Sequence, residues 1–153
     1  MKINFLAATL AALLGTGFAV SAFAQAKPDQ LVKQRQAKMT LQGKYFGPLA
    51  LMAAGKIPYN GEVAARNAAF LEPLSRMAWD GFDPSTSGEK SNALPVIYQE
   101  PAKFRQAQEA MESSVTKLVS ATKSGNEANV KAAAADVGKA CGSCHNDFRA
   151  KQQ

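Results

Sequence analysis

The sequence predicts an all-α protein, an antiparallel four-helix bundle. Four stretches carry apolar residues at the 3–4 spacing of a helix face. Glycine and proline separate them. No stretch shows the strict alternation of a half-buried strand. With 153 residues, 46% hydrophobic and 20% charged, the chain is long enough for one domain. That composition excludes collagen-like, mucin-like and broadly disordered classes.

Residues 1–24 stand apart from the bundle and read as a signal peptide. Lys2 gives a positive start, Phe5 to Val20 is mostly apolar, and Ala22-Phe23-Ala24 fits a small-x-small cleavage site. The apolar core is short for a bilayer-spanning helix, which needs about 20 residues. Cleavage after Ala24 leaves a domain over 25–153 with formal charge +5. The expected compartment is exported and oxidising, such as the periplasm, with no membrane attachment once the signal is removed. The positive charge is spread along the chain with no Lys/Arg run, which excludes a nucleic-acid partner.

The first helix is expected from Asp29, as its cap, to about Ala54. Leu31, Val32, Arg35, Met39, Gln42, Phe46 and Leu49 form its stripe, and Pro48 should kink it. Gly55 to Pro58 closes it. Asn60 caps a second helix to about Trp79, with Val63, Asn67, Phe70, Leu74 and Met77 inward and a bend at Pro73. Asp80 to Glu100, with Pro84, Gly88 and Pro95, reads as a long connection. Pro101 opens the third helix, which Gly125 stops. Phe104, Gln108, Met111, Val115, Leu118 and Thr122 follow its face. Asn126 caps the fourth, whose stripe is Val130, Ala134, Val137, Cys141, Cys144 and Phe148.

One motif carries chemistry. Cys141-Gly142-Ser143-Cys144-His145 is a CxxCH sequence, the pattern of c-type haem attachment. Thiols three residues apart share a helix face, so both can add to the two vinyl groups of one porphyrin. His145 is four residues after Cys141, so its ring can reach the iron from that face. A structural zinc site needs four N/S ligands, and these three exhaust the supply. A redox CxxC belongs at the start of a helix after a strand, not late in an all-helical chain. A plain disulfide leaves the adjacent histidine unexplained. The expected cofactor is therefore one covalently attached haem c, with His145 as axial ligand. No second histidine exists to complete the coordination. Of Met39, Met52, Met77 and Met111, the candidate sixth ligand is Met39, midway along the first helix.

These residues resemble the class II cytochromes c, and most closely the cytochrome c′ family. The resemblance covers residues 27–151. It is carried by Lys27-Pro28, Arg35-Gln36, Met39-Thr40-Leu41, Tyr45-Phe46-Gly47, Gly55-Lys56-Ile57-Pro58-Tyr59, Phe82-Asp83-Pro84-Ser85-Thr86 and the run Val137 to Arg149. It implies that Arg35 and Gln36 lie near the haem propionates and that Met39 lies over the sixth iron position. It also implies that Arg149 flanks the imidazole. A cation in the last turn of a helix is the alternative reading of Arg149, and a solvated charge that of Arg35. Phe46 and Phe148 are read as haem-pocket or core packing.

The resemblance leaves two behaviours open at Met39. In the high-spin branch the distal residue is apolar and does not bind, and the five-coordinate iron takes NO and CO while discriminating against dioxygen. In the low-spin branch a methionine ligates iron, and Met/His ligation suits electron transfer with a redox partner protein. The segments around Tyr45 and Phe82 resemble the high-spin branch. The resemblance also implies a homodimer through the first two helices. A non-haem bundle with a disulfide or metal is the third class. An enzyme is not expected, since the one histidine is already committed to iron.

Overall fold

The computed structural model describes residues 26–151. The signal-peptide reading of residues 1–24 lies outside the described residues. Four long helices and one short one follow: α1 (Pro28–Ala53), α2 (Gly61–Met77), α3 (Val96–Gln99), α4 (Pro101–Lys123) and α5 (Glu127–Phe148). The four long helices pack as a closed ring, α1 and α4 each touching both α2 and α5. Among the described residues, no helix is long and apolar enough to cross a membrane.

Side-chain chemistry sets most helix ends. Asn60 Oδ1 accepts from Val63 N at 2.9 Å and Asn126 Oδ1 from Asn129 N at 3.0 Å, so both expected caps form. Gly55 and Gly125 take φ of +68° and +67°, a region that side chains rarely enter, and there α1 and α4 are followed by turns. Asp29 does not cap α1. Lys27 holds that position without a side-chain bond, Pro28 opens the helix, and the Asp29 carboxylate pairs with Lys33 at 2.9 Å instead. Neither inner proline ends its helix. The carbonyls they leave without a donor belong to Lys44 and Ala69, both at exposed positions where water can serve them.

The core corrects the expected face of α2. Ala64, Ala68 and Leu71 are fully buried, whereas Phe70 is 47% and Met77 52% exposed. The stripe is rotated by about one residue, because small alanines let α2 approach its neighbours closely. Phe70 instead stacks on Tyr45 of α1, ring centroids 4.8 Å apart. One apolar cluster joins Leu49, Ala64, Leu71, Val115, Leu118 and Val137. A second holds Ile97, Phe104 and Phe148, with Trp79 and Phe82 packed against it.

The connection after α2 is more ordered than a loop. Two 3₁₀ turns (Trp79–Phe82 and Pro84–Thr86) precede α3. Leu94 N donates to Phe148 O at 2.9 Å and Ala150 N to Asn92 O at 2.8 Å, fastening the connection to the end of α5. At its other side Gly81 lies against α1. A Cβ there would fall 2.5 Å from Arg35 Cβ and 3.0 Å from Leu31 O.

Gly81→Ala is therefore expected to cost about 1–3 kcal/mol by overpacking, and Asn126→Ala about 1 kcal/mol by loss of the cap. Denaturant unfolding of the haem-loaded protein measures both. A neutral Gly81→Ala would mean that α1 and the connection are not tightly apposed.

Candidate haem site

Between the wall formed by α1 and the wall formed by α5 lies a cavity of about 370 Å³, within the about 300–1,000 Å³ of small-molecule and cofactor sites. Cys141, Cys144, His145 and Phe148 line it from α5, and Arg35, Gln36 and Met39 from α1. Arg149 lines it from just past α5. The second aromatic cluster, through Trp79, Phe82 and Phe104, supplies its apolar side. Phe104 meets Trp79, Phe82 and Phe148 edge-on at centroid distances of 6.2, 5.0 and 5.1 Å.

Helix periodicity explains the α5 wall. Val130, Ala134 and Val137 are buried in the first cluster, and the same stripe continues through Cys141 and Cys144 to Phe148. The core thus ends where the cavity begins. Both cysteines are free and half-buried. Burial pushes the Cys141 thiol up, and burial together with the nearby Cys141 and Asp147 pushes Cys144 up to about 11. Both shifts disfavour the thiolate, the form that rapid disulfide exchange requires. Burial, reinforced by the Arg149 charge, lowers the affinity of His145 for a proton. Both effects favour the neutral imidazole, the state that donates to a metal.

Arg35 is the most constrained polar group. It is 3% exposed. Its Nη1 donates to Gly81 O at 2.7 Å, Thr86 Oγ1 at 3.0 Å and Tyr98 OH at 3.4 Å, and its Nη2 to Ser91 Oγ at 2.8 Å. The guanidinium lies 4.5 Å over the Phe82 ring. None of these partners is a carboxylate. The charged side chains lining the cavity are Arg35 and Arg149, both cations. A cavity walled by two arginines and no acid is suited to an anionic ligand.

The donor set therefore fits a covalently held haem. Two adjacent thiols can form thioethers, a neutral imidazole can ligate iron, apolar rings can pack a macrocycle, and arginines can neutralise propionates. The expected residues Arg35, Gln36, Met39, Cys141, Cys144, His145, Phe148 and Arg149 all line this one cavity. Phe46 does not. It packs on the first core cluster and lines a separate apolar groove with Ala50, Ala134 and Gly138, so its place is core packing and not the haem pocket. Arg149 lies one position past α5 in extended conformation, its N–H donating to His145 O at 3.2 Å, so it is not in the helix's last turn.

Sequence reading missed the connection's share of the site. Ser91, Asn92, Ala93 and Ile97 line the cavity, and Thr86 and Tyr98 hold Arg35. No periodicity announces them, because they act through one turn each. Trp79 could have been found as the chain's single tryptophan. It lines the cavity while its Nε1 donates to Glu112 Oε1 at 2.7 Å.

Comparison with known proteins agrees. Residues 30–149 match the cytochrome c′ family. The cytochrome c′ of Rubrivivax gelatinosus is 37% identical over 126 residues, 82% of this chain and 98% of that protein. A ferrous variant of cytochrome c′ from Alcaligenes xylosoxidans with bound NO superposes with a TM-score of 0.77 at 34% identity, covering 84% of this chain and 99% of that one. A carbon-monoxide-bound variant of the same protein gives 0.76 at 36% identity, covering 82% and 98%. A cavity that offers two free thiols, a neutral imidazole and uncompensated arginines inside a bundle of this shape places the chain in the cytochrome c′ family, with covalently bound haem c as its cofactor.

Proposed function

We propose that this chain is a periplasmic c-type haem protein that binds NO and CO at a five-coordinate, high-spin iron, and that it is a binding protein and not an enzyme. The observation that carries the reading is the asymmetry of the cavity. One wall bears Cys141, Cys144 and His145, and the other presents Met39 with no charged or acidic group but Arg35. Haem bound there supplies an iron centre for one diatomic gas or one exchanged electron.

In this reading each residue has one task. Cys141 and Cys144 would hold the cofactor through two thioether bonds, each S–H adding across one vinyl group, sulfur to one carbon and hydrogen to its neighbour. His145 would ligate the metal through its neutral imidazole, the form that burial and then the Arg149 charge favour. Arg35 would neutralise the carboxylates of the cofactor, with Gln36 beside it. Met39 walls off the remaining side with an apolar thioether, which donates no hydrogen bond to a polar ligand. NO- and CO-bound relatives of this fold support the gas-binding reading.

A second reading is favoured by the same side chain. Met39 is a half-buried thioether on the cavity wall. If it ligates iron, the protein is a low-spin electron carrier that serves a redox partner protein. The homodimer belongs to either reading. Leu41 and Leu51 on α1 and Phe70 and Met77 on α2 are 40–52% exposed, and these are the apolar side chains a second copy would cover.

Met39→Ala separates the readings. With an open iron, the variant keeps a high-spin spectrum and binds CO about tenfold faster, the effect of removing about 1.4 kcal/mol of steric barrier. A change from low to high spin would instead establish ligation by Met39, and an unchanged spectrum and rate would take Met39 out of the ligand's path. Arg35→Met is expected to cost the haem-loaded protein about 3 kcal/mol in denaturant unfolding, since Gly81 O and three hydroxyls lose a charged donor. A loss near zero would show that the guanidinium does not hold the connection. Phe70→Arg should give a monomer in light scattering at concentrations where the parent is a dimer. A parent that is itself monomeric contradicts the dimer.

A further inference from the structure

Gln42 is a buried, uncharged polar side chain on the α1 wall. It is 8% exposed, lines the cavity and stands three residues after Met39, on the same helix face. Its carboxamide is oriented by α2. Nε2 donates to Leu74 O at 2.9 Å. Leu74 lies in the last turn of α2, where carbonyls have no helical donor. Only the nitrogen end of a carboxamide can serve a carbonyl, so Oε1 is turned the other way. That oxygen has no hydrogen-bond partner among the described residues. No side-chain nitrogen or oxygen there is both sealed from solvent and unpartnered, so Oε1 is reached by solvent. Gln42 is one of the residues that line the cavity.

We propose that Gln42 is a gas-selectivity residue: with its nitrogen anchored on α2, it presents an acceptor oxygen to a ligand on the Met39 side of the cavity. The inference rests on the gas-binding reading. A bound gas whose outer atom gathers negative charge, as dioxygen does, meets a lone pair where it needs a donor. The less polarised CO and NO are penalised less. An apolar wall merely withholds stabilisation from dioxygen, whereas this carbonyl opposes it.

Gln42→Leu removes the acceptor together with the anchor on Leu74, and two measurements separate these losses. The carbon–oxygen stretch of the reduced, CO-loaded protein reads the field on the ligand, and thermal unfolding reads the anchor. A negative dipole near the ligand raises that stretch, so Gln42→Leu is expected to lower it and to raise dioxygen affinity about two- to tenfold, the scale of one neutral hydrogen bond. Gln42→Met keeps the chain length without the carbonyl and serves if the leucine variant does not fold. An unmoved stretch, whatever the melting temperature does, confines Gln42 to capping α2 and overturns the inference. A stretch that moves upward would mean an N–H faced the ligand, and overturns it too. A parent protein that forms no CO complex refutes the gas-binding reading itself, a result distinct from a silent stretch.

Discussion

The Arg35 guanidinium is a cation withdrawn from water, and its surroundings are arranged around that fact. Removing such a charge from solvent costs several kcal/mol unless hydrogen bonds and countercharge replace the water. Gly81 O, Thr86 Oγ1, Ser91 Oγ and Tyr98 OH replace the hydrogen bonds. Thr86 is itself fixed by donating to Asp83 O at 2.7 Å, which leaves its lone pairs for Arg35 and Tyr98. No described residue supplies the countercharge within ion-pair distance. A cofactor with carboxylates would supply it, and would make its binding and the order of the 79–99 connection two parts of one electrostatic problem.

The bundle separates stability from chemistry along its axis. The first cluster, with Leu71, Val115, Leu118 and Val137 fully buried, holds the four long helices together. Beyond it the helices no longer fill the space between them, and the cavity takes over. The edge-on ring cluster around Phe104 keeps that end apolar and rigid. Cys141 belongs to both regions. It packs against the first cluster, and its Sγ lies 3.6 Å from Met111 Sδ, while it also lines the cavity.

Much of this was legible in the sequence where one residue type has one physical meaning. Pro101 and the asparagine caps at 60 and 126 mark helix starts, the glycines at 55 and 125 mark the turns, and CxxCH on a helix stripe marks the α5 wall of the cavity. The inner face of α2 was misread because large apolar residues were weighted over alanines, and Phe70 and Met77 proved to be on the surface. Asp29 was misread as a cap because Pro28 already fixes the entry to α1. Phe46 shares a stripe with Met39 but lies two turns along it, where the core and not the cavity begins. The connection's contribution through Thr86, Ser91 and Tyr98 was illegible. Each is a single polar residue whose partner is more than 50 positions away.

The central claim is a covalently held haem whose iron is open on the Met39 side. An optical spectrum of the purified mature protein tests it most directly, taken ferric, dithionite-reduced and reduced with CO. The account predicts a Soret band that resists acid–acetone extraction and a broad high-spin reduced spectrum that sharpens on adding CO. Sharp low-spin bands with a sulfur-to-iron band in the ferric near-infrared and no response to CO would contradict the open iron. The absence of any Soret band would contradict the site itself.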